Sequence, residues 1–293
     1  MNLTLTVMEI VAPVFMLAAV GFTWVKLGFE YRIQFVTRLA TTLAVPCLIF
    51  VALMQTEIAG DDLGRFTLAT IAANLALTVV FWVFVRVTGI DQRSYLSPLV
   101  FGNTGNLGLP LCIFAFGQAG LGYAVVFLSV TALWSFTYGI YLFAGRGSLG
   151  TVLRQPMVWA TILGAVFLWQ GWQTPTFLTN GLELIGQMAV PMMLVTLGVA
   201  VARLTPDKIG KAIWLSLIKL VVSFALGWSV AILFELTDEA FGVLVLQMVT
   251  PVAVTSYLLA ERFGADSNAV AGMVVTSTLM SVAALPLVLA ILL

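Results

Sequence analysis

Histidine is missing from all 293 residues, charged residues make up only 9% of them, and there are just two cysteines. Each scarcity excludes something. Without imidazole there are no histidine metal ligands, no histidine proton relay and no His-based catalytic triad, so any titrating group must be a carboxylate, a lysine or a tyrosine. Cys47 and Cys112 both fall inside apolar runs, where a small polarisable side chain packs, and no disulfide framework is implied. The 13 Lys and Arg balance the 13 Asp and Glu, which leaves no net charge.

What the chain has instead is apolar sequence. Hydrophobic residues make up 61% of it and its mean hydropathy is +1.09, against roughly 45–50% apolar residues in soluble domains. Runs of about 20 apolar residues, long enough to cross a hydrocarbon core of about 30 Å, recur throughout. Lipid is therefore the expected solvent. The first run, from Leu5 to Trp24, has no basic region before it and no small-residue cleavage pattern after it, so it reads as a retained span and not a signal peptide. Hydropathy predicts spans near 5–25, 35–54, 66–87, 94–116, 120–143, 156–172, 182–202, 211–234, 240–260 and 268–292.

Basic residues sort by side. Lys26, Arg32, Arg38, Arg86, Arg93, Arg146, Arg154, Arg203, Lys208, Lys211 and Arg262 fall in or beside alternate loops, and Arg65 alone falls on the other side. The opposite loops carry Glu57, Asp61, Asp62, Glu235, Asp238 and Glu239. The positive-inside rule makes the basic side cytoplasmic, with both termini outside the cytoplasm of a cell inner or plasma membrane. Trp24, Trp169 and Trp172 sit where interfacial anchors belong.

The chain also repeats. Ala44-Val45-Pro46 recurs as Ala189-Val190-Pro191, and at the same spacing Asn74 and Thr78 align with Lys219 and Ser223. Phe116-Gly117 matches Phe263-Gly264, carrying Ser129 and Thr131 onto Thr276 and Thr278. Five spans per half is an odd number, so the second copy enters the membrane from the opposite side. The expected fold is all-α and polytopic: ten transmembrane helices as two inverted five-helix repeats, residues 1–146 and 147–293. Pro46 and Pro191 read as kinks in spans two and seven.

Chemistry concentrates in spans four and nine. Phe101-Gly102-Asn103-Thr104-Gly105-Asn106-Leu107-Gly108-Leu109-Pro110 is a poor continuous helix, and Pro110 frees the carbonyl of Asn106. In the ninth span Pro251 frees the carbonyl of Gln247. Unpaired carbonyls are not tolerated facing lipid, so both breaks must face protein or a wet cavity, which is how secondary transporters build solute sites. Asn103, Thr104, Asn106, Gln247 and Thr250 supply donors and acceptors there. Two such helices crossing near the midplane would present half-helix ends, each with about half an electronic charge.

The Gly102-to-Pro110 segment, Pro251 with Ala260-Glu261-Arg262-Phe263-Gly264-Ala265-Asp266, and Ser277-Thr278-Leu279-Met280-Ser281 resemble the auxin efflux carrier family, including its bacterial malonate-transporter-like members. The resemblance covers essentially the whole chain. It implies a scaffold from spans one, two, six and seven, and a transport core from spans three to five and eight to ten. It also implies crossed helices broken at Pro110 and Pro251, an asparagine binding position at Asn103 or Asn106, a homodimer, and carboxylate substrates such as malonate, malate or auxin-like acids. Plant members carry a long cytoplasmic loop between the halves, whereas the link here, near Gly145 to Gln155, is short.

The expected function is a secondary active carrier of small organic anions, by efflux or uptake, through alternating access at the crossover. The alternatives are a sodium-coupled carrier like the bile-acid symporters and a passive channel. Sodium sites want clustered acidic and amide oxygens, and no carboxylate is embedded here. An intramembrane enzyme would need a nucleophile with a base, paired aspartates or a metal site, which the spans lack. No metal, cofactor or nucleic-acid partner is expected, only solute, lipid and a second copy of the chain.

Lys219 remains, placed about eight residues, roughly 12 Å, inside a span. Insertion scales charge about +2.5 to +3.5 kcal/mol for lysine at a helix centre. Ser216, Lys219 and Ser223 share one helical face, as do Thr67, Thr70, Asn74 and Thr78, so both faces should point inward. Lys219 either compensates a solute carboxylate or stands in for a coupling cation, unless its long stem snorkels to the interface.

Overall fold

The computed structural model describes residues 3–139, 155–204 and 209–293. The expected repeat junction at 146/147, with Arg146, Arg154 and Lys208, lies outside the described residues, as does the side chain of Arg262.

A chain this apolar must pair its backbone within itself, and an α-helix does so within one segment. The described residues accordingly form α1 (Leu3–Lys26), α2 (Ile33–Met54), α3 (Gly60–Thr88), α4 (Gln92–Val100) and α5 (Leu109–Trp134), then α6 (Pro156–Gln170), α7 (Thr176–Gln187), α8 (Ala189–Arg203), α9 (Ile209–Leu233), α10 (Asp238–Met248), α11 (Val254–Phe263) and α12 (Ser267–Leu292). Among the described residues there is no strand, only one isolated antiparallel bridge between Gly102 and Val252. Among the described residues, seven runs are long and apolar enough to cross a membrane: α1, α2, α3, Thr104–Gly139, Thr176–Arg203, α9 and α12.

The run Thr104–Gly139 is not one straight helix. Gly117 lies inside it at φ 61°, ψ −146°, which interrupts the helix where the sequence separates its fourth and fifth spans. Gly264, its counterpart in the Phe-Gly match, ends α11 at φ 69° in the left-handed region. Glycine tolerates both because it has no Cβ. Two π-helical turns, Ala40–Ala44 and Thr104–Gly108, each end two residues before a proline, Pro46 and Pro110. In each the wider i→i+5 turn closes just before the proline, with the Val45 N–H donating to the Ala40 carbonyl and the Leu109 N–H to that of Thr104.

The helices pack in two groups. In one, α1 lies along α8 while α2 packs on α6 and α7; in the other, α3, α4, α5, α9, α10, α11 and α12 pack on one another. The first group is held by small residues. A Cβ at Gly198 would meet the Ala18 carbonyl oxygen at 1.7 Å, and one at Gly21 would meet that of Val195 at 2.0 Å, so α1 and α8 touch backbone to backbone. Close approach through glycine is how helices associate where lipid removes the hydrophobic drive between them. The second group holds the buried polar residues, Thr196 on α8 excepted. Ser216, Lys219 and Ser223 are all buried, as are Thr70, Asn74 and Thr78, while Thr67 is half-buried. The polar faces read from the sequence do point inward.

The loops fall on two sides. Arg93 donates to the Phe263 carbonyl, the Asp266 N–H donates to Ser94, Lys211 stacks over Tyr95, and Arg203 donates to the Tyr31 carbonyl. Across the molecule, Arg65 donates to the Glu235 carbonyl, and Glu57, Asp62, Gln118, Thr237 and Glu239 line a shared pocket of about 420 Å³. Trp24, Trp169 and Trp172 are exposed on the apolar surface.

Replacing Gly198 with valine should force α1 from α8 and cost about 1–3 kcal/mol or more, the usual range for overpacking. The apparent melting temperature in detergent should fall clearly for Gly198→Val and hold or rise for Gly210→Ala, where a Cβ meets nothing within 4 Å.

Candidate functional site

The two breaks in the second packing group answer each other. Phe101 is extended (φ −94°, ψ 117°), as is Ala253 (φ −64°, ψ 131°). The Asn103 N–H donates to the Pro251 carbonyl at 2.7 Å, and the Ala253 N–H donates to the Phe101 carbonyl at 3.2 Å. These bonds are related by a local two-fold through Gly102 and Val252, the bridged pair. This is the non-hydrogen-bonded pair of an antiparallel ladder, in which facing residues come closest. A Cβ on Gly102 would lie 2.3 Å from the Thr250 hydroxyl, so only glycine fits. The Val252 N–H donates to Ser277 Oγ of α12 at 3.0 Å. Buried backbone groups that helical pairing leaves over thus find partners across the crossing.

This corrects where the fourth span breaks. The chain leaves the helix at 101–103, and Pro110 is the second residue of α5, beyond the π-helical turn. The Asn103 carbonyl takes the N–H groups of both Leu107 and Gly108, at 3.1 Å each. Pro251 lies in its break and supplies the carbonyl that receives Asn103. The two prolines are therefore not equivalent: glycine opens one break, proline the other.

A cleft of about 150 Å³ lies on one side of the crossing, bounded by Asn103, Thr104, Asn106, Thr131, Ser135 and Thr255, with Met193 of α8 and Thr41 of α2 closing it from the other packing group. Among the described residues, no charged side chain lines it. Two helices begin there, one at Thr104 and one at Val254. The first N–H groups of a helix have no intrahelical acceptor and carry partial positive charge, so both starts favour an anion. Asn103 Nδ2 is buried without a partner.

The remaining sequence candidates are elsewhere. Thr250 and Lys219 border a second, smaller cavity of about 20 Å³ with Ser216, Pro251, Ser277 and Ser281. Gln247 borders neither cavity; its amide is fully buried against Gly108, where a Cβ would lie 2.1 Å from Oε1, and beside the Cys112 thiol. Asn103, Thr104 and Asn106 are thus brought together, while Gln247, Thr250 and Lys219 are held apart from them by the crossing peptides. Sequence reasoning missed Thr41 and Met193, because nothing local marks a residue on one packing group as facing a break on the other. Thr131 carried a signal in its repeat match to Thr278.

An all-helical chain with several membrane-length apolar helices and a polar cleft among its helices is, as a class, a multi-pass membrane transport protein. The chain belongs to the auxin efflux carrier family: the profile described as membrane transport protein matches residues 6–152 and again residues 148–289. It is 25% identical to an uncharacterized transporter of Methanothermobacter thermautotrophicus over 95% of this chain and 96% of that one. It is also 22% identical to an uncharacterized transporter of Methanocaldococcus jannaschii, over 94% and 95% of the two chains.

The close pair at the crossing makes a specific prediction. Gly102→Ala should destabilise by about 1–3 kcal/mol through overpacking, and adding Thr250→Ala, which removes the hydroxyl in the way, should return part of that loss. A double-mutant cycle of thermal stabilities measures the coupling; strictly additive losses would mean that Gly102 and Thr250 do not meet.

Proposed function

We propose that the protein is a secondary active carrier of small organic anions, mono- or dicarboxylates, which bind at the crossing of two broken spans and are released by alternating access. The observation that carries this reading is the cleft itself. Two helix N-termini, the unpartnered Asn103 amide and the polar side chains of Thr104 and Asn106 converge on it with no acidic side chain among them. Its size supports small solutes, since a cavity of about 150 Å³ takes a ring the size of benzene.

The carrier reading pairs each set of half-helices as one span: α4 with the helix to Phe116, and α10 with α11. Counted so, with α7 and α8 as a single kinked span, the chain crosses ten times in two inverted halves. The local two-fold at Gly102 and Val252 and the two matched stretches on either side of residue 150 support that count. The packing groups then act as scaffold and transport core. Polar residues concentrate in the core, where a solute must pass. In this reading the side that carries the basic loops is the cytoplasmic one, as the positive-inside rule expects.

In proteoliposomes, Asn103→Ala and Asn106→Ala should each raise the KM for a transported carboxylate by about tenfold, the equivalent of about 1.4 kcal/mol of lost binding. Unchanged affinity and flux in both variants would move the solute site away from the crossing.

Sidedness is tested separately. Single cysteines at Asp62 and Asp238 should react with an impermeant reagent applied outside intact cells, and one at Gln92 should not. The reverse pattern would invert the assignment of the cytoplasmic face.

A further inference from the structure

Lys219 lies behind the crossing, away from the cleft, and its surroundings define what it does there. Its side chain is 2% exposed and its ammonium is buried without a hydrogen-bond partner, so it does not snorkel. The cavity beside it, about 20 Å³, has room for about one water. No carboxylate lines it.

The four hydroxyls around that cavity have their protons committed elsewhere. Thr250 donates to the Gln247 carbonyl at 2.7 Å, Ser281 to that of Thr278 at 2.6 Å, and Ser277 to that of Val274 at 3.3 Å. Thr276 donates to the Gly272 carbonyl at 2.8 Å, which leaves Ser216, 3.0 Å from the Thr276 oxygen, as the donor of that pair. Each of the four oxygens therefore offers lone pairs and no proton. The C-terminal end of α10, at Val249 and Thr250, adds partial negative charge. Neutral oxygens at a helix C-terminus suit a small hard cation and repel an anion.

The other half of the repeat supplies a contrast. Asn74, which aligns with Lys219, exchanges contacts of 3.3 and 3.4 Å with Thr131, so that pair closes on itself. Thr278, which aligns with Thr131, has no partner for its hydroxyl, and neither has Lys219 for its ammonium. At these matched positions the second half leaves its ammonium and hydroxyl unpaired, where the first pairs its amide with a hydroxyl.

We infer that Ser216, Thr250, Ser277 and Ser281 form a monovalent-cation site behind the crossing, and that the ammonium of Lys219, which borders the same cavity and bonds directly to none of the four oxygens, supplies the positive charge that a dissolved ion would bring. A tethered charge cannot dissociate, so the acceptor oxygens have a cation beside them without any dissolved ion. Truncating the side chain vacates the site for sodium. The transport consequence rests on the carrier reading; the site itself does not.

The test uses the full-length purified protein, with Lys219→Ala to vacate the site and Lys219→Met to fill it without charge. Thermal unfolding is compared in sodium chloride and choline chloride at equal ionic strength. Sodium should raise the melting temperature of Lys219→Ala by several degrees and leave wild type and Lys219→Met unmoved. If Lys219→Ala responds to none of lithium, sodium or potassium, the inference is overturned. Should the alanine variant not fold, Lys219→Ser, which keeps a polar side chain, carries the same comparison. In proteoliposomes with malonate as probe, wild-type flux should be indifferent to replacing sodium by choline. Lys219→Ala should lose about tenfold in choline and recover in sodium. Wild-type flux that requires sodium overturns the inference, whereas wild type that moves no carboxylate sinks the carrier reading and leaves the thermal comparison to decide the site.

Discussion

A peptide group that leaves helical pairing inside a bilayer has no water to turn to, and an unpaired one costs several kcal/mol. The exchange between Asn103 and Pro251 and between Ala253 and Phe101 meets that constraint with two hydrogen bonds. Each break is tolerable only because the other is present. Gly102 is needed beside it, since a Cβ there would meet the Thr250 hydroxyl at 2.3 Å. Polar helix ends can then exist at membrane depth.

Once helix ends meet in low dielectric, their polarity sorts charge. The starts at Thr104 and Val254 open on the cleft, where partial positive charge and amide donors suit an anion. The end of α10 opens on the opposite cavity, where acceptor oxygens and Lys219 sit. On the readings proposed above, a single crossing makes two sites of opposite preference, with no acidic side chain among the described residues that line them. Among the described residues that line the two cavities, Lys219 alone carries a full charge, and it is placed where helix-end partial charge favours it.

The two packing groups differ in how they cohere. The contact of α1 with α8 is backbone against backbone through Gly21 and Gly198, leaving little to slide or repack. The other group is held together by hydroxyls and amides, such as Trp134 with Thr78 at 3.0 Å and Ser216 with Thr276. Met193 and Thr41, from the rigid group, border the cleft. Motion of one group against the other would therefore change the cleft's walls and leave the crossing intact.

Much of this was legible without coordinates. Apolar run length, Phe-Gly punctuation at Gly117 and Gly264, the inward faces of α3 and α9 and the cost of an embedded lysine are local properties, and each could be read from neighbours within about two helical turns. Proline is local too, which is why Pro110 drew the break to itself; Pro110 instead sits in the first turn of α5, and the chain opens at Gly102. The partner of the break lies 150 residues away, and no local pattern names it. Only the tertiary structure decided that the two breaks pair, that Asn103 and Asn106 face one cavity while Thr250 and Lys219 face another, and that Gln247 faces neither. Sequence determined that helical pairing would be lost in the fourth and ninth spans, because glycine and proline act locally; the fold decided which groups would be left over and which would meet, because hydrogen bonds between breaks depend on ångström-scale approach of segments far apart in the chain.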